Sequence, residues 1–242
     1  MTGTANCDVV LVAGGSGTRY KSEIPKQFEL VNGQPLYLWS LNTFLNWPEA
    51  GRVCVVVPLA WVKPVQDSFE NLQSKARVIV ISGGESRTES AHRGLKALGE
   101  GSEWVMIHDA ARPAITNHLL ERIWEARRMA NTSPIVAGVI PGVAAKETIK
   151  SVDLHLHHAL VSETLERSKI RIIQTPQLLK RDVLIKAFEK FKGEATVDDS
   201  TLVEKLGYKV IVVDGDNDNL KVTFAEDKKR VSDWLRDRYP SI

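Results

Sequence analysis

The residues best equipped for chemistry form one run near the N-terminus: Ala13-Gly14-Gly15-Ser16-Gly17-Thr18-Arg19, followed by Pro25-Lys26-Gln27. Glycines in a turn let backbone N–H groups approach and bind phosphate oxygens. Arg19 then offers a planar fork of donors, and Lys26 a point charge just beyond it. That pairing suits a triphosphate, which carries about four negative charges and gathers more on its equatorial oxygens when the α-phosphorus is attacked. Catalysis of such an attack is mainly charge and position.

Two better-known phosphate loops are disfavoured. The dinucleotide fingerprint needs a third glycine where Tyr20 stands, and the P-loop's Gly-Lys-Ser/Thr ending is missing. A nicotinamide-dependent oxidoreductase, which shares the order strand, glycine loop, helix, is therefore the weaker reading.

Further along, Gly83-Gly84-Glu85-Ser86-Arg87-Thr88-Glu89-Ser90 combines small residues with Ser90 opening onto a helix, which suits close reading of a nucleobase edge. His108-Asp109-Ala110-Ala111-Arg112-Pro113 puts a carboxylate at a strand end, where Mg²⁺ bound to phosphates needs an oxygen partner. Arg112 is suited to receiving a phosphate. Gln174-Thr175-Pro176-Gln177, Val197-Asp198-Asp199 and Asn219-Leu220-Lys221-Val222-Thr223 complete the polar motifs. The alternating His155 and His157 lack a third ligand spaced to close a metal site.

These motifs need a scaffold that brings them together. Val- and Ile-rich runs at 8–12, 52–57, 76–81, 104–107 and 135–140 read as strands buried on both faces. Helix-period stretches at 36–47, 60–72, 85–98 and 117–130 lie between them. The alternation predicts an α/β domain with a mostly parallel sheet, helices on both faces and ligands at the carboxyl ends of the strands. Residues 141–171 break the order and read as a protruding two-stranded arm. A thin arm cannot cover both its faces alone, so a homodimer is expected. The order then resumes with helices 181–191 and 199–206, strands 209–213 and 219–223, and helix 225–238.

The bulk properties agree. With 242 residues the chain is long enough for one full core, and 32 Lys plus Arg against 30 Asp plus Glu leave a formal charge of +2 without a basic tract. No nucleic-acid polymer and no membrane is expected as a partner. Neither a secretory signal nor a disulfide framework is visible, and Cys7 and Cys54 sit in Val-rich runs, so the expected location is cytoplasmic.

In order from about Val9 to Leu235, the motifs closely resemble the 2-C-methyl-D-erythritol 4-phosphate cytidylyltransferases of the non-mevalonate isoprenoid pathway. The related ribitol-5-phosphate cytidylyltransferases share the glycine loop and the Pro-Lys-Gln step and are the runner-up. The resemblance implies a Rossmann-like nucleotidyltransferase fold, one domain over 1–242, that transfers CMP from CTP to the polyol phosphate and releases pyrophosphate. By the same resemblance Ala13, Gly14, Gly15 and Gly17 wrap the CTP, with Gly84, Glu85 and Ser90 around its cytosine and ribose. Arg19, Lys26 and Lys221 are the cations on its phosphates, and Asp109 lies near the Mg²⁺ and ribose. Arg112, Thr148, Arg167 and Thr175 hold the sugar phosphate, with Thr148 supplied across the dimer. A non-catalytic sensor of CTP or a sugar phosphate would keep the glycines but has no need for Arg19, Lys26 and Lys221 together. Four positions differ from the family's usual residues: Glu85, Glu147 and Glu166 stand for Asp, and Val197 for Thr.

Overall fold

Alternation along a single strand organises the interior. In β1 (Cys7–Val12), buried throughout, Val9 and Leu11 face one core while Val10 and Val12 face another. The computed structural model describes residues 7–15, 24–69, 77–194 and 196–239. The chain continues through β2 (Leu30–Val31), β3 (Gln34–Pro35), α1 (Leu36–Asn46), β4 (Ala50–Val57), α2 (Val62–Ser68), β5 (Val78–Ser82), α3 (Arg87–Leu98) and β6 (Trp104–Asp109). It goes on through α4 (Asn117–Asn131), β7 (Val136–Ala144), β8 (Lys150–Leu154), β9 (Ala159–Thr164), β10 (Arg171–Ile173) and β11 (Gln177–Lys180). Last come α5 (Arg181–Lys190), α6 (Asp199–Lys205), β12 (Lys209–Asp214) and α7 (Ala225–Arg238).

The main sheet runs in the order β10-β7-β11-β6-β1-β4-β5, with β12 also on β7. Strands β6, β1, β4 and β5 are parallel to one another, as β12 is to β7, while β11 runs antiparallel between β6 and β7. Helices α1 and α4 supply Leu41, Phe44, Leu120 and Ile123 to one core. On the other face α3, α5 and α6 supply Leu95, Leu184, Phe188 and Leu202. The mostly parallel α/β sheet covered on both faces is therefore as expected. A third small core gathers Val31, Leu36, Trp39, Val222, Val231 and Leu235, and so ties α7 and the segment around Val222 to the β2–β3 hairpin.

Several expectations need correction. Residues 141–144 belong to β7 and pair with β12 and β10, so the arm starts later than residue 141. Its two strands, β8 and β9, form a separate hairpin exposed at every position. Residues 219–223 are not a strand; single bonds hold them instead, among them the Val222 N–H to the Ala111 carbonyl at 2.8 Å. The helix expected over 60–72 begins at Val62, after a 3-10 turn at Leu59–Trp61, and residues 70–76 lie outside the described ones. As an edge strand, β5 is only half-buried. Among the described residues no helix is long and apolar enough to cross a membrane.

Candidate active site

The parallel strands end on one edge, and the loops that follow them carry the polar motifs. After β1, the Ala13 N–H bonds the Val56 carbonyl at 2.7 Å, prolonging the β1–β4 ladder into the glycine turn. Gln27 then pins the turn, its amide donating to the carbonyls of Ala13 at 2.5 Å and Gly15 at 3.1 Å. Beside it Phe28 stacks on Trp61 with centroids 3.9 Å apart, which anchors the 3-10 turn Lys26–Phe28 to the loop after β4. Gly17 and Arg19 lie outside the described residues.

After β5, a second loop is shaped from inside α3. Ser86 caps that helix by accepting the Glu89 N–H at 3.0 Å, so Ser90 does not open the helix but sits a turn within it, buried. Its hydroxyl accepts the Gly84 N–H at 3.0 Å, and the Glu89 carboxylate accepts the Glu85 N–H at 2.9 Å. A Cβ at Gly84 would meet the Glu89 side chain, which would have to give up its bond to the Glu85 N–H to make room. Glu85 itself is exposed.

Asp109 ends β6 and is the centre of the charge arrangement. Its Oδ1 accepts from Arg87 Nε at 2.7 Å and its Oδ2 from Lys221 Nζ at 2.6 Å. Burial alone would raise its pKa, but those two cations outweigh it and hold the carboxylate well below the usual range. Arg87 also donates from its terminal amine to Asp199 Oδ2 at 2.7 Å. Burial keeps Asp199 above the usual carboxylate range despite that partner. Lys26 reaches the carbonyl of Val222 at 2.5 Å, which brings it to the residue after Lys221.

Beneath Asp109 runs a hydrogen-bond chain whose directions are fixed by its ends. The Asp109 N–H donates to Thr175 Oγ at 3.1 Å, and His108 Nε2 lies 3.1 Å from the Arg112 carbonyl, which can only accept. His108 therefore carries its proton on Nε2 and accepts from the Thr175 hydroxyl at Nδ1, 3.0 Å away. Full burial lowers the His108 pKa to about 3, so the ring is neutral. Thr175 is buried with its hydroxyl committed to these two partners.

Arg112 and Lys221 share a cavity of about 600 Å³ with Lys146, Gln174, Asn219 and Arg230. Arg112 donates to the Asn219 carbonyl at 2.8 Å, while among the described residues its buried Nε has no partner. The cavity is lined by four cations, Arg112, Lys146, Lys221 and Arg230, and by two carboxylates, Glu147 and Asp218, an excess of positive charge that suits an anion. Thr148 and Arg167 are exposed near the base of the arm, with Arg167 donating to the Lys146 carbonyl at 2.7 Å. Neither lines the cavity with Arg112, although Lys146, Glu147 and Ile149 beside them do. Val197 is 89% exposed, and the hydroxyl of the preceding Thr196 is taken by the backbone of Asp198.

Sequence reasoning gave no role to Arg87, Asp199 or Gln27. All three lie inside the polar motifs named above, and the signal for Arg87 and Gln27 is a polar residue next to a loop glycine or cation. Nothing in sequence joins Asp199 to Asp109. His155 and His158 stack with centroids 5.1 Å apart across the turn of the arm hairpin, and among the described residues no group of three His, Cys, Asp or Glu side chains converges on a metal position. Asp109 is a carboxylate at a strand end, and its two oxygens accept from the cations Arg87 and Lys221.

A glycine turn and converging cations at the carboxyl edge of this sheet define an α/β nucleotidyltransferase. The model of the 2-C-methyl-D-erythritol 4-phosphate cytidylyltransferase family, IspD, matches residues 7–236, and the chain belongs to that family. It is 34% identical to the 2-C-methyl-D-erythritol 4-phosphate cytidylyltransferase of Syntrophus aciditrophicus, over 90% of this chain and 91% of the relative. It is also 34% identical to the enzyme of that name from Carboxydothermus hydrogenoformans, over 96% and 95%. The crystal structure of 4-diphosphocytidyl-2C-methyl-D-erythritol synthase from Anaerococcus prevotii superposes with a TM-score of 0.80 at 27% identity, covering 96% of this chain and 98% of that one. That of the Francisella tularensis 2-C-methyl-D-erythritol 4-phosphate cytidylyltransferase gives 0.75 at 29%, covering 95% and 99%.

Proposed function

We propose that the chain transfers CMP from CTP to 2-C-methyl-D-erythritol 4-phosphate, releasing pyrophosphate in isoprenoid precursor synthesis. The observation that carries the geometry is the meeting of Lys26 with the Lys221-Val222 step beside Asp109. An oxygen of the acceptor's phosphate attacks the α-phosphorus of CTP, and the bond to the pyrophosphate oxygen breaks in line. The attacking phosphate is already an anion at neutral pH, so no general base and no covalent enzyme intermediate is needed.

In this reading Ala13, Gly14, Gly15 and Gly17 hold the triphosphate, with Arg19, Lys26 and Lys221 as its cations. Gly84 and Glu85 border the cytosine and ribose, and Ser90 shapes their loop from beneath. Arg112, together with Lys146 and Arg230, receives the acceptor's phosphate in the cavity. Thr175 supports Asp109 and His108 from below. Asp109 orients the ribose and is the residue that would help to hold a Mg²⁺ ion bound with CTP. When bound, that ion neutralises charge on the phosphates as the leaving group departs.

Homodimerisation through the arm extends the proposal. The hairpin exposes Leu154 by 83% and Leu156 by 91%, with Leu160 and Val161 also more than half exposed. A surface of that character on so thin an element calls for cover. A second copy of the chain would bring Thr148 and Arg167 to the acceptor pocket. A cytoplasmic location fits substrates of this kind. The deciding experiment is competition kinetics with saturating CTP: 2-C-methyl-D-erythritol 4-phosphate should be used far better than D-ribitol 5-phosphate, since a wrong polyol leaves buried polar groups unpaired. Equal or better efficiency with the ribitol compound would overturn the acceptor.

A further inference from the structure

Arg87 joins three remote parts of the chain. It is the first residue of α3, directly after the loop Gly83–Ser86, and its guanidinium bridges Asp109 at the end of β6 and Asp199 at the start of α6, both at 2.7 Å. Both carboxylates are anchored on rigid elements. The amide N–H of Asp109 is held by Thr175, and the N-terminus of α6 is fixed to β11 by Gln177, which donates to Asp198 and accepts from the Ser200 N–H, each at 3.0 Å. The Arg87 side chain is only 26% exposed, and that of Asp199 only 1%.

Lys221 has a different status. Its side chain is 38% exposed, and it lines the open cavity while its ammonium rests on Asp109. Its ammonium has three donors, and drawing it toward the phosphates of CTP loosens its bond to that carboxylate. Were Lys221 the sole partner, its departure would strand a buried negative charge, which is strongly unfavourable. Arg87 stays on the other oxygen and keeps the charge paired.

We propose that Arg87 is a positioning residue that holds the Asp109 carboxylate in place so that Lys221 can exchange it for the nucleotide's phosphates. Arg87 touches no substrate and acts through Asp109. Arginine is needed because a planar fork reaches two carboxylates at once, whereas an ammonium is a single point charge. The inference rests on the site being a CTP site.

The test is a double-mutant cycle in the full chain with Arg87→Ala, Arg87→Lys and Asp109→Asn. It is read by pyrophosphate release at varied CTP and by calorimetric CTP affinity without acceptor. Arg87→Ala should lower kcat/KM by about 10²-fold, the scale of a small misplacement at a reacting centre, with much of the loss in KM for CTP. Arg87→Lys should recover part of it. In the Asp109→Asn background either change should cost less than about 3-fold, because the group Arg87 positions is gone. Losses that multiply independently in the two backgrounds, or a folded Arg87→Lys protein with wild-type KM and kcat, would overturn the proposal. Should Arg87→Ala not fold, the Lys arm of the cycle decides by the same criterion. A wild type that neither binds CTP nor releases pyrophosphate would overturn the underlying reading as well; an active wild type with independent losses overturns this inference alone.

Discussion

Lys26 donates its ammonium to the carbonyl of Val222 across 196 positions of sequence, at 2.5 Å, while the neighbouring Lys221 sits on Asp109. Two cations from opposite ends of the chain thus meet at the carboxyl edge of the sheet. Neither supports a core, so removing one should act on the chemistry rather than the fold. Lys26→Ala and Lys221→Ala should each lower turnover by at least about 10²-fold, the usual scale for one preorganised charge at a transition state. Unfolding temperatures should stay close to wild type. A folded Lys26→Ala protein with near-normal turnover would remove Lys26 from the site.

His108 gives the protein a predictable acid limit. Its pKa falls from an ordinary 6.5 to about 3 in the folded chain, because burial penalises the charged ring. Between those values the unfolded chain binds a proton that the folded chain does not, so stability rises with pH across the window and is lost as pH falls through it. The slope from this one group is at most about 1.4 kcal/mol per pH unit. Protonation would also turn Nδ1 into a donor and leave the Thr175 hydroxyl hydrogen without its acceptor. Denaturant titrations from pH 7 to pH 4 should show this loss in the wild type and a flatter profile in His108→Gln; parallel profiles would refute the assignment.

The framework of this molecule is written locally, in runs such as Asp8 to Val12 and Trp104 to Ile107 whose composition allows little but buried strands. The glycine turn, the strand-end Asp109 and the helix 225–238 were legible for the same reason. Pairing partners were less so. β10 and β11 lie in a stretch too short and too polar to announce strands, and they are strands because β6 and β7 offer open edges. Residues 219–223 alternate like a strand but find no ladder, only point contacts such as those to Ala111, Thr175, Arg112 and Lys26. The Asn32-Gly33 turn, with positive φ at both residues, carries a hairpin signal in its two residue types. The bridge from Arg87 to Asp199 spans 112 positions and carries no local pattern.

The arm should hold two copies of the chain together. Leu154 and Leu160 are exposed large hydrophobics on paired strands of one hairpin, and covering them stabilises an association that leaving them in water does not. Leu154→Glu with Leu160→Glu should yield monomers by light scattering at micromolar concentration. Acceptor KM should rise more than CTP KM, since Thr148 and Arg167 sit at the base of that arm. A wild type that is already monomeric under these conditions would contradict both expectations.

Asp8 lies at the opposite end of β1 from the glycine turn and separates stability from activity. It is 3% exposed and receives Arg52 at 2.7 Å together with Arg181, itself 5% exposed. Arg181 also donates to the carbonyls of Gly99 and Ser102, each at 2.8 Å, so its hydrogen bonds would partly survive loss of the carboxylate. Its charge would not be matched. Removing one member of a buried ion pair costs about 3–5 kcal/mol. For a domain of this size that lowers the unfolding temperature by at least about 6 °C. Asp8→Ala should therefore melt early yet keep its KM for CTP at temperatures where it is folded, because the strand end it braces is the one away from Ala13 and Asp109. An unchanged melting temperature would show the pair to be dispensable, and a large rise in KM for CTP would show that the brace reaches the active site through β1.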